Sequence, residues 1–286
     1  MKFFEKILTI AAFSFCCIVS EAQTAHSLFW LSDSLQVSEI KAEPGNHSSK
    51  VGHHGPAVEN SHMALRIYFN DSGAVDVYSK TGRGMELLQY QWYPTQGQRD
   101  SLSVGTDGYN VGNTVGLGGI ALWDDGKEVR LDATGGRVAR VGETKKGSYA
   151  EVISYGVPYG GGKVDVSVRI DVVEKSREAV VTASEINGNK VCFVTGVNYH
   201  QGQKVTYGKG YVSVWGPHPV EATEVAFPIG AGLFYSDKDF PAVEKTEDMV
   251  RLISKPLSRF QTRIISASVK EAELNNAKRF ETYMGR

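Results

Sequence analysis

The chain has 286 residues, 41% hydrophobic and 22% charged, and its 31 Lys plus Arg against 32 Asp plus Glu leave a formal net charge of −1. That apolar content excludes disorder as the main state, and the near-zero charge argues against a nucleic-acid partner. With 31 Gly, 13 Tyr and 12 Phe against 9 Pro, the composition fits many short strands joined by tight turns.

Lys2 and Lys6 precede an apolar stretch over residues 7–19, which gives way to Ser20, Glu21 and Ala22. This is the order of a secretory signal peptide, so residues 1–23 are expected to be removed and the protein to be periplasmic or extracellular. The stretch is short for a bilayer span, and no later segment reaches 18 uninterrupted apolar residues, so no integral membrane association is expected. The bulky Phe15 before Cys16 argues against lipidation. Beyond the signal only Cys192 remains, which rules out an internal disulfide. Its neighbours Val191, Phe193 and Val194 mark it as a small buried residue rather than a nucleophile.

Residues 27–50 are polar and mixed, and residues 52–62 are chemically dense. A hairpin follows: Leu65-Arg66-Ile67-Tyr68-Phe69, the turn signal Asn70-Asp71-Ser72-Gly73, then Val75-Asp76-Val77-Tyr78. Alternation puts Leu65, Ile67 and Phe69 on one face and Arg66 with Tyr68 on the other. Residues 164–172 alternate five apolar side chains with Asp165, Ser167, Arg169 and Asp171, the pattern of a half-exposed antiparallel strand. Further strands are expected at 179–183, 191–197, 211–215, 232–235, 249–253 and 261–269. No crossover helices separate them, which disfavours a parallel α/β sheet. Only residues 271–283 read as an amphipathic helix. With no fixed-period repeat and no Pro/Ser-rich linker, residues 24–286 are expected to form one large all-β antiparallel sandwich domain.

Several groups of residues offer chemistry. Residues 52–62 hold His53, His54, His62, Glu59 and Asn60 around Gly52, Gly55 and Pro56; one His suits proton transfer, and Glu59 or Asn60 suits hydroxyl recognition. The bland reading is a solvated loop. Asp76, Tyr78 and Lys80 share a strand face and present an acid, a phenol and an ammonium, or merely an exposed face with a cross-strand ion pair. Tyr90, Trp92 and Tyr93 are candidates either to stack on sugars or to fill a core. The glycine-rich residues 105–119 lack a Walker lysine-hydroxyl pair and a βαβ setting; they read as a long ordered loop over a concave sheet, carrying Asp107, Tyr109 and Asn110. His200 ends an apolar strand, where a base is rigidly presented, whereas His218 between Pro217 and Pro219 fits a turn. No metal-ligand spacing of the zinc type is present, so no metal is assigned; loop calcium stays open, and a cofactor is unknown. Serine-esterase and thiol-protease signatures are missing.

Taken in order, His54-Gly55-Pro56, Glu59-Asn60 before Ala64-Leu65-Arg66-Ile67-Tyr68, Asp76-Val77-Tyr78-Ser79-Lys80, the loop over 105–119 and Gly119-Ile120-Ala121-Leu122-Trp123 resemble domain-of-unknown-function family 4861 across nearly the whole mature chain. The resemblance implies a secreted bacterial protein with a β-supersandwich similar to galactose mutarotase and several polysaccharide lyases, with a short C-terminal helix. It implies a role near polysaccharide breakdown, including uronic-acid-rich glycans, and supplies no established reaction. The mutarotase acid-base His pair and terminal Glu have no clear counterparts here.

The expected function is action on an oligosaccharide or uronide by proton transfer of the lyase or epimerase kind. His53 or His200 serves as base, Tyr78 as proton donor, and Arg66 or Lys80 as the cation holding a carboxylate. Glu59, Asn60, Trp92, Asp107, Tyr109 and Trp123 complete the expected substrate-binding set. The alternative is a non-catalytic glycan-binding module using Tyr90, Trp92 and Trp123. A glycoside hydrolase using Glu59 with Asp76 or Asp107 comes third, and a structural envelope protein fourth. The oligomeric state is open.

Overall fold

A computed structural model describes residues 24–219 and 226–286; the expected signal peptide, residues 1–23, lies outside the described residues. Strand alternation builds the fold. In Gly162–Val173, Val164, Val166, Val168, Ile170 and Val172 are buried, whereas Asp165, Arg169 and Asp171 are half-exposed. A side-chain period of two gives such a strand one face for a core and one for solvent.

The largest sheet has nine strands in the order Lys204–Gly208, Tyr211–Pro217, Pro228–Phe234, Arg259–Ser268, Ala179–Glu185, Gly162–Val173, Gly147–Tyr159, Arg137–Thr144 and Glu39–Ala42. A five-stranded sheet runs Ala242–Lys245, Met249–Ile253, Phe193–Asn198, Ala121–Asp124 and Lys127–Val129. The smallest has four strands: Thr24–Ser27, Ala57–Asn60, Ala64–Ile67 and Val75–Tyr78. Every pairing within these sheets is antiparallel.

Both smaller sheets lie against the large one. Ala57–Asn60 meets Gly147–Tyr159 and Gly162–Val173, and Phe193–Asn198 meets Tyr211–Pro217 and Pro228–Phe234. Leu65 and Val77, Val166, Val181 and Leu233, and Phe193, Val197 and Leu252 bring the three sheets into one apolar cluster. This is the all-β antiparallel sandwich that the alternation indicates. Its cohesion comes from apolar burial, and the one cysteine among the described residues, Cys192, is unpaired.

The C-terminal helix is shorter than its amphipathic pattern, running Ala277–Met284. The Asn276 side chain caps it by accepting from the Arg279 amide at 3.0 Å, which fixes the start later than residue 271. Phe280 and Met284 then pack on Trp215, Ile265 and Ala267, on the large-sheet face opposite the core. Two short helices were not foreseen, Leu87–Tyr90 and Gln96–Leu102. A reciprocal capping box between Thr95 and Gln98 starts the second.

The glycine-rich loop leaves the edge of the four-stranded sheet for the five-stranded one. It bridges Ser79 at Thr106, Val75 at Gly116 and Val197 at Leu117. Gly116 has φ +70, and a Cβ there would lie 2.1 Å from the Val75 carbonyl oxygen, so the close approach requires glycine.

Phe193 is completely buried where the five-stranded sheet meets the large one. Phe193→Ala is expected to cost about 3–5 kcal/mol, read as a lower urea midpoint with unchanged slope; a loss below about 1 kcal/mol would place this residue outside a packed core.

Candidate functional site

The hairpin of Ala64–Ile67 and Val75–Tyr78 sets Arg66 directly opposite Asp76. Leu65, Ile67, Val75 and Val77 enter the core, so Arg66, Tyr68, Asp76 and Tyr78 share the other face. Arg66 is only 2% exposed. Its Nε and Nη2 donate to Asp76 Oδ2 at 2.9 and 2.5 Å. Nη1 donates to the His53 carbonyl at 3.1 Å and to the Tyr93 hydroxyl at 2.7 Å. Nη2 also reaches the Tyr68 hydroxyl at 2.9 Å and Asp107 Oδ2 at 3.2 Å. The guanidinium carbon lies 4.5 Å from the Trp92 ring centroid and 4.8 Å from that of Tyr68.

A buried cation requires such company, because burial without paired charge and hydrogen bonds is prohibitive. Burial opposes the charge of Arg66, and Asp76 followed by Asp107 overcomes it, holding the guanidinium above its usual range. The remaining Asp76 oxygen accepts from the Val77 amide at 2.7 Å, and the Tyr68 hydroxyl donates to Asp76 Oδ2 at 2.8 Å.

Backbone strain collects around the same cation. His53 and His54 have φ of 56° and 60°, and Gln91 and Trp92 have φ of 46° and 70°. Each non-glycine residue there costs roughly 1–2 kcal/mol unless its surroundings enforce it. The first strained pair delivers the His53 carbonyl to Arg66; the second lays the Trp92 indole over it.

A second buried network lies farther along the same face. Lys80 is ion-paired with Glu59 and also donates to the carbonyls of Asn60 at 3.0 Å and Gly84 at 2.5 Å. The Glu59 carboxylate accepts the amides of Glu86 and Leu87, each at 2.8 Å, and so holds the first turn of Leu87–Tyr90. Burial pushes the Glu59 carboxyl up, and Lys80 and these amides oppose the shift. Glu86 in turn accepts from the Tyr78 hydroxyl at 2.8 Å and the Gly105 amide at 2.7 Å. The segments bearing Trp92, Tyr93 and Asp107 are thereby tied to one ionic layer, while Leu87 and Trp92 pack on Ala57, Ala64 and Tyr78.

Beyond this cover the polar face opens into a cleft of about 630 Å³, lined by Tyr68, Asp76, Tyr93, Asp107, Tyr109 and Asn110, with Asn70, Ser72 and Arg130 toward the hairpin turn. The Asp107 side chain keeps 27% of its surface exposed. Burial and then Asp76 push its carboxyl up to about 7, against Arg66 and the Trp92 indole. The Asn110 carbonyl accepts from Asn198 Nδ2 at 2.7 Å and approaches His200 Nε2 at 2.8 Å and His218 Nδ1 at 3.3 Å. Tyr109 donates to Asn198 Oδ1 at 2.6 Å, and its ring lies 4.2 Å from that of His218.

The candidate residues read from the sequence thus divide. Asp107 and Tyr109 line the cleft, Arg66 lies buried behind it, and His200 supports its wall through Asn110. His53 is 2% exposed, with Nε2 2.8 Å from Ser27 Oγ; burial and then Arg66 push its pKa down to about 3. Tyr78, Glu59 and Lys80 form the covered layer, and burial followed by Glu86 raises the Tyr78 phenol well above its usual range. The Asn60 amide is occupied by the carbonyls of Val173 and Ser176 and the amides of His62 and Met63. Trp92 is buried over Arg66, and Trp123 lies on the five-stranded sheet, 4.5 Å from the Arg251 guanidinium. Tyr68 and Asp76, together with Tyr93 and Arg130, complete the cleft; the sequence offered Asp76 as an acid and Tyr93 as a stacking ring only outside the leading site, and Tyr68 and Arg130 not as site residues. Strand alternation carries a signal for Tyr68 and Asp76; Tyr93 and Arg130 arrive from separate segments. Among the described residues, no group of three or more His, Cys, Asp or Glu is arranged to hold a metal ion, and no helix is long and apolar enough to cross a membrane.

A family model described as a domain of unknown function, DUF4861, matches residues 19–286. The chain belongs to this family. No curated protein matches it. Among solved structures, the DUF4861 chain is similar to the 4-alpha-glucanotransferase from Thermococcus litoralis, at a TM-score of 0.35 and 9% identity, over 75% of this chain and 37% of that chain. It therefore spans little more than a third of that protein's length.

Two outcomes follow from this geometry. Arg66→Met leaves Asp76 buried and unpaired and is expected to cost about 3–5 kcal/mol in chemical unfolding; a change below about 1 kcal/mol would contradict the role given to this pair. Asp107 binds its proton more tightly when folded, so its favourable contribution is complete below about pH 4 and lost as the pH rises to about 7. The stability of Asp107→Asn relative to the unmodified protein should climb over that interval and level off above it. A difference that stays flat would exclude the raised carboxyl.

Proposed function

We propose that the protein is an exported carbohydrate-active enzyme that binds an oligosaccharide or uronide in this cleft and moves a proton through Asp107, in chemistry of the lyase or epimerase class. The observation that carries this reading is a partly exposed carboxyl raised to about 7 at the edge of a buried Arg66–Asp76 pair. Asp107 is thereby a group that exchanges a proton near neutrality, beside a carboxylate, Asp76, that is paired with Arg66. The signal-like residues 1–23 support export. The antiparallel sandwich agrees with a supersandwich of the galactose mutarotase kind.

In this mechanism Asp107 is the base and takes the proton from the reacting sugar. Tyr93 is the proton donor: its oxygen accepts from Arg66 Nη1, leaving its hydroxyl hydrogen for the leaving or ring oxygen. Burial pushes the Tyr93 phenol up and Arg66 opposes the shift, so the guanidinium stabilises the phenolate that develops as this proton departs. Asp76 neutralises Arg66 at rest and holds it in place. His200 and His218 act indirectly by fixing Asn110, a donor and acceptor for sugar hydroxyls.

A glycan-binding module without turnover is the second reading, favoured by the half-exposed Tyr93 ring at the cleft. Turnover separates the two. With uronide oligosaccharides, Asp107→Asn should lower kcat/KM by about 10²–10⁴-fold while retaining binding. The unmodified enzyme's kcat/KM should rise with pH to a plateau above about 7, because the base must be ionised. A profile that falls through this range assigns Asp107 the acid's role instead. If neither an unsaturated product nor a changed epimer or anomer ratio forms while binding is retained, the module reading stands.

A further inference from the structure

The cleft has two chemically different ends. At one, Asp76 and Asp107 share Arg66, whose donors are committed to Asp76, Asp107, Tyr68, Tyr93 and the His53 carbonyl. That buried cation has no donor left for a ligand. The other end lies at the hairpin turn, where Asn70 is four residues beyond Arg66, at most about 13 Å away at the rise of a strand. There Arg130 is the one Lys or Arg among the described residues lining the cleft, and its side chain is 39% exposed.

Arg130 is aimed without being used up. Its Nη2 donates to the Asn113 side-chain oxygen and, at 3.4 Å, to the Asn113 carbonyl. Asp71 stands 3.8 Å from Nη1, too far for a hydrogen bond. Among the described residues, Nε and Nη1 of Arg130 make no hydrogen bond. An arginine tethered by one edge to a neutral side chain pays little further ordering entropy to engage an anion.

We infer that Arg130 forms an anion subsite at the turn end of the cleft, which selects glycans carrying an acidic substituent, a carboxylate or a sulfate ester, over neutral ones. This rests on the reading of the cleft as a carbohydrate site and adds its substrate class. The substituent belongs to a sugar unit other than the one that reacts, so it avoids the negative charge of Asp76 and Asp107 while a neighbouring unit of the same oligosaccharide reaches them. Asn70 and Ser72 flank this subsite, and Asp71 competes with the ligand for the guanidinium.

The test is calorimetric binding by the full chain of a uronide trisaccharide, its carboxyl-reduced neutral counterpart and a sulfated form of that counterpart. The unmodified protein is expected to bind at least one acidic ligand about tenfold more tightly than the neutral one. Arg130→Gln should collapse that ratio toward one with neutral-ligand affinity unchanged, and Asp71→Asn should widen it. Which acidic ligand gains identifies the substituent. Equal affinities in the unmodified protein, or discrimination that survives Arg130→Gln, would overturn the subsite while leaving the carbohydrate reading intact. Binding of none of the three would overturn both. Thermal unfolding of Arg130→Gln close to that of the unmodified protein verifies that the comparison is between folded proteins.

Discussion

A guanidinium removed from water is the constraint on which the site depends. Arg66 sits on a strand face at 2% exposure, where desolvation of an unpaired cation would outweigh anything one hairpin gains by forming. Its environment is organised to prevent that: one carboxylate directly across the ladder, a second from the glycine-rich loop, two phenols, one carbonyl and an indole. Two pairs of residues adopt left-handed backbone to deliver the carbonyl and the indole. The strain is local and the interaction it secures is ionic, a balance that the neighbouring packing must maintain.

The same cation shapes the chemistry by dividing its attention. Asp76 takes its closest contacts and is almost completely buried, whereas Asp107 takes a longer one from the cleft side. Hence one carboxylate serves as the counter-charge of the arginine, and the other feels burial and the charge of its neighbour more than the pull of the arginine. The layer of Lys80, Glu59, Glu86 and Tyr78 contributes at one remove, by fixing the segments from which Trp92, Tyr93 and Asp107 project.

Much of the fold was legible because strand alternation is a local signal. Residues 164–172 and the hairpin from Leu65 to Tyr78 needed only a period of two, and the sharing of one face by Asp76, Tyr78 and Lys80 followed from it. What the pattern omits is which part of that face is covered. Leu87 and Trp92, from a segment with short helices held partly by a remote carboxylate, seal the Tyr78 and Lys80 end and leave the Tyr68 and Asp76 end open. Covering of this kind is a tertiary event with no periodicity of its own. It turns Glu59, Tyr78 and Lys80, which looked like reactive groups, into supports. His53 differs because its buried ring is held by Ser27, on a strand 26 residues earlier. Arg130 escaped notice because it comes from a segment beyond the glycine-rich loop and meets the hairpin turn only in the folded chain.

The claim at the centre of this reading is that the open end of the Arg66 face is where a sugar binds. A crystal structure of the protein with a bound uronide oligosaccharide tests it most directly. The sugar is expected between Tyr93, Asp107 and Asn110, with Asp107 within hydrogen-bond distance of a ring substituent. A sugar seated instead in the polar groove of the large sheet, among Glu151, Arg169 and Arg259, with the Arg66 cleft empty, would contradict it.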